Sequence, residues 1–143
     1  MCPDKNLAKK VVDKMLGGDA FSQWLGIEVL EISEGHCKLQ MTVREEMTNG
    51  FKIAHGGIAY SLADSCLAFA ANSDGVQSVS VETSISHTKK VVSGDTLTAT
   101  TKEIRKSEKT GFYHITITNQ NNIEIAHFKG TVYRTSKEWI TES

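Results

Sequence analysis

Residues 49–75 read NGFKIAHGGIAYSLADSCLAFAANSDG, and this stretch decides the fold. A loop ends at Gly56 and Gly57 and leads into about four turns of alanine-rich sequence. Between residues 58 and 71 these turns carry one charge, Asp64, and their apolar side chains point in several directions. A helix that is apolar on all sides is a buried helix. A buried charge is costly unless it has a partner or a function, so Asp64 is a candidate functional residue.

Short helices and strands are predicted on both sides of this segment. Apolar residues at helical spacing over residues 6–16, and a second short helix between Asp19 and Gly26, precede a hairpin of two alternating strands. After the long helix the alternation of apolar and polar residues predicts four strands, at residues 78–85, 97–104, 112–118 and 123–135. The tail over residues 136–143 is expected to be frayed.

The order of these elements predicts an α+β fold in which an antiparallel sheet wraps around one long central helix, with short helices at the N-terminus. The chain of 143 residues suits a single domain over residues 1–143, with its core at about residues 20–135. No internal repeat or proline-rich linker divides the sequence. A domain of this length can bury a sufficient core without disulfides.

The composition excludes several classes of protein. The net charge is -1 with both signs interspersed, which argues against a nucleic-acid or anionic-membrane surface. No apolar run approaches the ~20 residues of a membrane span, and the first ten residues lack the apolar region of a secretory signal. Three cysteines without a CxxC pair fit a reducing compartment, with Cys66 in the core and Cys2 at a mobile terminus. We therefore expect a cytoplasmic protein that binds neither nucleic acid nor membrane.

The start of the long helix is the first candidate site. Gly56 and Gly57 have no side chains, so a ligand can approach their backbone N–H groups. The first N–H groups of a helix lack intrahelical partners and lie at its positive end, where they can stabilise a carbonyl oxygen as it becomes an oxyanion. The alternative is that the two glycines only form the turn into the helix.

Asp64 is the second candidate, and its distance from the glycines has a consequence. It follows Gly57 by seven residues, roughly 10 Å of helix. One chain therefore cannot bring both groups to the same reacting carbon. Two antiparallel copies of the helix across a twofold axis can do so, with two equivalent sites per dimer. The alternative for Asp64 is a structural carboxylate that accepts a hydrogen bond from a backbone amide or a serine.

The other polar candidates are less specific. Asn49 can orient a water or a carbonyl group, or form a turn, and His55 can donate to a substrate carbonyl or hold the loop by a backbone hydrogen bond. Ser80 can orient a water from the strand after the helix. Lys89 and Lys90 can meet phosphates or simply be solvated. The histidines have no HxxxH or HExxH spacing, so no metal site is predicted.

Asn49, the HGG triplet at residues 55–57 and Asp64 form a pattern that resembles the hotdog-fold acyl-CoA thioesterases. More narrowly, it resembles the phenylacetate-degradation thioesterase group. Further matches are FAxNSxG at residues 69–75 and GDxLxA at residues 94–99. The combination of the triplet, the carboxylate and the preceding asparagine is specific, whereas the triplet alone would not be.

The resemblance covers roughly residues 20–134 and implies a hotdog fold, in which an antiparallel sheet is wrapped around a long helix. It also implies homodimers that associate into homotetramers, with active sites at the dimer interface. Carried onto this chain, Asp64 is the catalytic carboxylate, acting as nucleophile or as general base on water. The N–H of Gly57 polarises the thioester carbonyl, with Gly56 beside it in the substrate site.

The same resemblance implies that Asn49 and His55 support this region, and Ser80 matches a position that assists the attacking water in a related animal branch of the family. Lys89 or Lys90 would meet the phosphates of coenzyme A, which is part of the substrate, and no metal or other cofactor is required. The expected reaction is hydrolysis of an acyl-CoA to the free acid and coenzyme A. Aryl-acetyl or hydroxylated phenylacetyl groups are favoured, and short or medium aliphatic chains are the alternative.

Two other classes remain as alternatives. A hotdog hydratase or dehydratase would pair a histidine with an acidic residue in motifs that this sequence does not show. A non-catalytic acyl-CoA-binding regulator would carry a DNA-binding segment, whereas residues 1–26 are short and not strongly basic.

Overall fold

The structure, a computed structural model that describes residues 6–141, has the predicted α+β architecture. Over this range the helices are α1 (Leu7–Gly17), α2 (Ala20–Leu25) and α3 (Gly56–Asn72). The strands are β1 (Glu28–Ser33), β2 (His36–Thr42), β3 (Val76–His87), β4 (Thr96–Lys106), β5 (Thr110–Thr118) and β6 (Glu124–Glu138). A 3-10 turn at Glu45–Met47 lies in the loop before α3. Cys2 and the last two residues of the tail lie outside the described residues.

The strands of the described range form one antiparallel sheet in the order β1-β2-β4-β5-β6-β3. The hairpin of β1 and β2 joins the later strands through β4, while β3 lies at the far edge and pairs with β6. α3 is the connection that carries the chain from β2 to this edge, so the sheet curves around it. This is the hotdog architecture that the sequence predicts.

α3 is buried on nearly all sides, as its apolar composition predicts. Ten of its 17 residues are buried, and among them Cys66 is confirmed as a core residue. The helix and the sheet approach very closely at Gly130 of β6, where a β-carbon would lie 2.5 Å from Cδ2 of Leu67. A larger residue at that position would force the side chain of Leu67 to move. Within residues 6–141 no helix has the length and apolarity that a membrane span requires.

α2 begins and ends as the sequence predicts. Asp19 accepts a hydrogen bond from the N–H of Ser22, and Gly26 ends the helix in the left-handed conformation, with a φ of 76°. The hydroxyl group of Ser22 donates to Asp19 at 2.6 Å and lies 2.8 Å from the hydroxyl group of Ser65. Ser65 is therefore the donor in the second contact, which joins α2 to the middle of α3.

The C-terminal segment differs from the prediction. The expected end of the last strand at residue 135, followed by a frayed tail, is wrong for the part of the tail that the structure describes. β6 continues to Glu138, which pairs with Val76 of β3, and the indole N–H of Trp139 donates a 2.7 Å hydrogen bond to Asn72 at the end of α3. The polar sequence conceals these contacts because their partners are remote along the chain.

Candidate active site

The loop between β2 and α3 is held by backbone hydrogen bonds at both ends. Thr48 and Ala54 form an isolated antiparallel bridge, and the N–H of His55 donates to the carbonyl group of Met47 at 2.8 Å. The N–H of Ala54 donates to the carbonyl group of Val91 at 2.7 Å, which ties the loop to the segment after β3. The start of α3 is therefore fixed against two other parts of the chain.

His55 caps α3, and this contact occupies the N–H of Gly57. The Gly57 N–H donates a 3.0 Å hydrogen bond to Nδ1 of His55, so the proton of the neutral ring is assigned to Nε2. His55 thus holds the loop by a backbone hydrogen bond, one of the two roles expected of it. The N–H of Gly56, the first residue of the helix, has no hydrogen-bond partner within residues 6–141. Of the two glycines, Gly56 presents the free donor, and the role suggested for the Gly57 N–H stays a prediction.

A cavity of about 370 Å³ opens beside the start of α3. Five of the site residues predicted from the sequence line it together: Asn49, His55, Gly56, Lys89 and Lys90. The rest of the lining comes from the loop, α3, the end of β3 with the segment after it, and β4, and it includes His87 and Thr88 beside apolar side chains. A volume of this size, lined by both apolar and polar groups, suits a small-molecule site.

Asn49 forms a turn and also lines this cavity. Its Oδ1 accepts a 2.9 Å hydrogen bond from the N–H of Phe51, which makes an Asx turn. Its amide nitrogen has no partner in the described part of the chain. The expected turn role is therefore confirmed, and the NH₂ group is left to donate to a ligand.

Lys89 and Lys90 are exposed at the rim of the cavity. Neither ammonium group has an ion-pair partner among the described residues. Two uncompensated positive charges beside a cavity attract anionic ligands.

His87 is a cavity residue that the sequence did not single out. It ends β3, and its ring lies so close to the start of α3 that a β-carbon on Gly56 would be 3.4 Å from its Nε2. The contact joins two elements that are remote in sequence, so the alternation of β3 gives no sign of it. The available signal is its position two residues before Lys89, in the segment already expected to bind a ligand.

Asp64 lies further along α3 and does not line this cavity. Its side chain is half-buried and has no hydrogen bond or ion pair within residues 6–141, so the amide or serine of the structural alternative is not found there. Burial raises the pKa of the Asp64 carboxyl group above its ordinary value, and the nearby charge of Asp19 raises that pKa further. A carboxylate without a partner and with a raised pKa is suited to act as a base or a nucleophile.

Ser80 lies on the edge strand β3, is exposed, and pairs with Val132 of β6. Its hydroxyl group has no partner among the described residues, and it does not line the cavity. One chain thus brings the helix start and the lysines together and leaves Asp64 and Ser80 apart from them. In the described range, no cluster of three or more His, Cys, Asp or Glu side chains could hold a metal ion.

Comparison with known proteins identifies the family. The sequence profile of the thioesterase superfamily matches residues 51–126. The acyl-coenzyme A thioesterase PaaI of Escherichia coli is 38% identical over 120 residues, which cover 84% of this chain and 86% of that protein. The solved structure of the E. coli PaaI protein from the phenylacetic acid degradation operon matches with a TM-score of 0.91 and 35% identity, over 94% of this chain and 97% of that chain. A Streptococcus mutans protein solved with bound acetyl-CoA matches with a TM-score of 0.76 and 27% identity, over 78% of this chain and 90% of that chain. The resemblance seen in the sequence is confirmed, and the chain belongs to the thioesterase superfamily.

Proposed function

We propose that the protein is an acyl-CoA thioesterase, which hydrolyses an acyl-CoA to the free acid and coenzyme A. The observation that carries this proposal is the layout of α3. A free N–H at Gly56 borders a cavity at its start, and Asp64, with a raised pKa and no partner in the described range, lies further along. Support comes from E. coli PaaI, an acyl-coenzyme A thioesterase, and from the S. mutans protein that was solved with acetyl-CoA.

Asp64 and the start of α3 act on the same substrate only when two chains combine. About 10 Å of helix separates Gly57 from Asp64, whereas reacting atoms must approach within about 3–3.5 Å. Each active site therefore lies between the cavity of one protomer and Asp64 of its partner, and a twofold axis relates the two sites.

β3 is the element that suits this dimer. It is an edge strand of 12 residues, and Val79 and Val81 stand exposed on it, Val81 with an exposure of 62%. An edge strand presents a row of unpaired backbone N–H and C=O groups, which is a template for pairing with another strand. Antiparallel pairing of β3 with the same strand of a second copy is isologous, so it closes as a homodimer, and two such dimers can associate into a homotetramer.

The start of α3 binds the thioester carbonyl in this site. Its oxygen accepts a hydrogen bond from the Gly56 N–H, and the Gly57 N–H joins when the ring of His55 leaves its capping contact. These donors stabilise the negative charge that develops on the oxygen, and one such donor is typically worth roughly 2.7–4 kcal/mol of barrier. Asn49 and His55 hold the loop that carries them.

The carboxylate of Asp64 drives the reaction by one of two routes. As a general base it takes a proton from water while the water oxygen bonds to the carbonyl carbon, and the thiolate of coenzyme A takes that proton when the C–S bond breaks. Ser80 orients the water in this route. As a nucleophile Asp64 forms a mixed anhydride with the acyl group and expels the thiolate, and water then hydrolyses the anhydride. Incorporation of ¹⁸O into the Asp64 carboxyl group during a single turnover in H₂¹⁸O would identify the nucleophilic route, because attack of water on the aspartyl carbonyl of the anhydride labels that group and the general-base route does not.

The substrate has two recognisable parts. Lys89 and Lys90, at the rim of the cavity, meet the phosphates of the coenzyme A moiety. The acyl group is an aryl-acetyl or hydroxylated phenylacetyl group, which the origin of the E. coli relative in a phenylacetic acid degradation operon favours. Short or medium aliphatic acyl groups are the alternative.

Release of free thiol from a panel of acyl-CoA esters tests the proposal. The panel contains phenylacetyl-CoA, hydroxyphenylacetyl-CoA, acetyl-CoA and a medium-chain acyl-CoA, with the Asp64→Asn protein as the negative control. Thiol release by the wild type and not by the variant is expected. Hydration of an acyl chain without thiol release would instead identify a hydratase, and binding without reaction would identify an acyl-CoA-binding protein.

A further inference from the structure

The ring of His87 lies beside Gly56, the residue that provides the free N–H of the proposed site. A β-carbon on Gly56 would be 3.4 Å from Nε2 and 3.6 Å from Cε1 of this ring. His87 lines the same cavity as Gly56, and its ring has no hydrogen bond or ion pair within residues 6–141. Within the described residues, the His87 ring thus has no hydrogen-bond partner and lies beside the Gly56 N–H, which has none either.

The spacing of these two groups fits one shared acceptor. The amide nitrogen of Gly56 lies about 2.5 Å from its β-carbon position, so Nε2 of His87 is at most about 5.9 Å from that nitrogen. An oxygen atom that accepts from both would lie at two hydrogen-bond lengths of about 2.9 Å each. The upper limit on the separation of the two nitrogens thus matches the sum of two hydrogen-bond lengths, as a shared oxygen acceptor requires.

The other polar side chains of the cavity are less suited to this position. Asn49 keeps a free amide NH₂ group, but none of its atoms lies within 4 Å of the Gly56 β-carbon position. The ring of His55 accepts the Gly57 N–H at Nδ1, so its Nε2–H points away from that N–H. Lys89 and Lys90 are exposed at the rim. Apart from His55, which precedes Gly56 in sequence, His87 is the one of these cavity side chains with atoms within 4 Å of a Gly56 β-carbon position.

We propose that His87 donates a second hydrogen bond to the carbonyl oxygen of the bound thioester, beside the one from the Gly56 N–H. This inference rests on the proposed thioesterase function. The oxygen becomes an oxyanion when the nucleophile adds, and it returns to a carbonyl when the C–S bond breaks, so both donors stabilise the addition more than the ground state. A neutral ring with its proton on Nε2 and a protonated ring both donate from Nε2, so the role does not depend on the charge of His87.

Kinetics of three variants test this role. His87→Phe removes the donor and keeps a planar ring, His87→Gln keeps an N–H donor on a flexible side chain, and His36→Phe is a control at a histidine of β2 outside the cavity. We expect kcat of His87→Phe to fall about 10²-fold with little change in KM, a partial recovery in His87→Gln, and wild-type kinetics in His36→Phe. Wild-type kcat in His87→Phe would overturn the proposal, and so would a rise in KM alone.

A second measurement does not need turnover. A ketone analogue of the acyl-CoA, with CH₂ in place of sulfur and ¹³C in the carbonyl group, binds without reacting, and its carbonyl stretch reports hydrogen bonds to the oxygen. We expect the stretch to move to higher frequency in His87→Phe than in the wild type, and an unchanged stretch contradicts the proposal. If the wild type releases no thiol from any ester, the proposed function fails, whereas the stretch still decides the role of His87.

Discussion

The charge of Asp19, the cap of α2, acts on Asp64 across the contact between α2 and α3. Asp19 accepts two hydrogen bonds from Ser22, whose hydroxyl group lies 2.8 Å from that of Ser65, the residue after Asp64. The cap of a short surface helix therefore places a negative charge near the proposed catalytic carboxylate. After burial, this charge is the second cause that raises the pKa of Asp64.

Asp19→Asn should therefore lower the pKa of Asp64. Asn caps a helix about as well as Asp, so α2 is expected to stay intact. Asp64 is active as a carboxylate, and activity is lost as the pH falls through its pKa. The acidic limb of kcat/KM should lie above the ordinary aspartate pKa of about 3.9 in the wild type, and it should move to lower pH in the variant. Asp13→Asn, at an exposed residue paired with Lys9, is the control, and a limb that does not move speaks against this electrostatic link.

Asp64→Asn should abolish turnover and leave a folded oligomer. General-base or nucleophilic assistance is typically worth 10²–10⁴-fold, so a loss of about that size is expected in thiol release. The free energy of unfolding at neutral pH should stay the same or rise, because the raised pKa means that ionised Asp64 costs stability. That cost is absent below the ordinary pKa, grows as the pH rises through the folded pKa, and should be absent in the variant. A kcat close to that of the wild type in this variant would contradict the proposed mechanism.

Proline at the start of α3 should separate the two glycine donors. Gly56→Pro removes the free N–H, and proline is tolerated at the first position of a helix. The backbone of His55, with φ of -59° and ψ of 137°, already has the extended conformation required before proline. We expect kcat to fall roughly 10²–10³-fold, and by more than in Gly56→Ala, which keeps the N–H but adds a methyl group 3.4 Å from Nε2 of His87.

The same comparison at Gly57 tests the donor suggested by the sequence. Gly57→Pro removes an N–H that His55 already accepts. We expect a smaller loss of kcat than in Gly56→Pro, accompanied by a lower melting temperature because the cap is lost. A larger loss in Gly57→Pro than in Gly56→Pro would assign the main donor to Gly57.

Mixing two inactive variants should restore activity if each site is shared between protomers. A mixed dimer of Asp64→Asn and Gly56→Pro chains has one site with both defects and one site with neither. Thiol release should therefore appear after the two variants are refolded together. Each mixed dimer has one intact site, so its activity should approach half that of a wild-type dimer. If both groups of a site belonged to one chain, every site would keep one defect, and the mixture would stay as inactive as its components.

Asp74 should be the most sensitive ionic position for stability. Burial raises its pKa, but the N–H of Val76 and the ion pairs with Arg134 at 2.8 Å and Lys106 at 3.1 Å outweigh burial and lower it. The side chains of Asp74 and Arg134 are only 12% and 11% exposed. Removal of one partner of a buried pair leaves the other charge uncompensated, so Asp74→Ala should cost about 3–5 kcal/mol in urea unfolding.

The exposed pair of Lys9 and Asp13 is the matched control for this measurement. Asp13→Ala should cost less than about 1 kcal/mol, because both side chains are solvated. The folded pKa of Asp74 lies below its unfolded value, so its contribution is present above the unfolded pKa and is lost as the pH falls toward the folded one. Equal costs for the two substitutions would contradict the buried-pair interpretation.

The sequence is sufficient to predict the central helix and the burial of the segment around Asp64, because both depend on the local pattern of residues. The alanine-rich segment around Asp64 is apolar on all sides, and that alone indicates burial. The rise per residue is a constant of the helix, so the separation of Asp64 from Gly57 follows from the number of residues between them. The expectation that Asn49, Lys89 and Lys90 serve the substrate site comes from the resemblance to a known family, and helix or strand geometry does not supply it.

The sequence does not show which distant segments are in contact, nor which of two adjacent backbone N–H groups is left without a partner. The approach of His87 to Gly56 depends on how β3 ends beside α3, and no periodicity encodes it. The capping of Gly57 by His55 depends on a side-chain rotation at the helix start, so the sequence cannot tell which glycine keeps its N–H free. The docking of Trp139 has the same cause, since its partner lies at the end of another element.

Because the Trp139 indole is hydrogen-bonded to Asn72, the intrinsic tryptophan fluorescence of the chain can report on this contact. The sequence contains two tryptophans, and the other, Trp24, is 46% exposed beneath the guanidinium group of Arg44. Trp139 is hydrogen-bonded to the C-terminal end of α3, while Trp24 lies on α2. Replacing either with phenylalanine leaves a single emitter, so fluorescence can follow the release of the C-terminal strand and the loosening of the N-terminal helix as separate events, without any added dye.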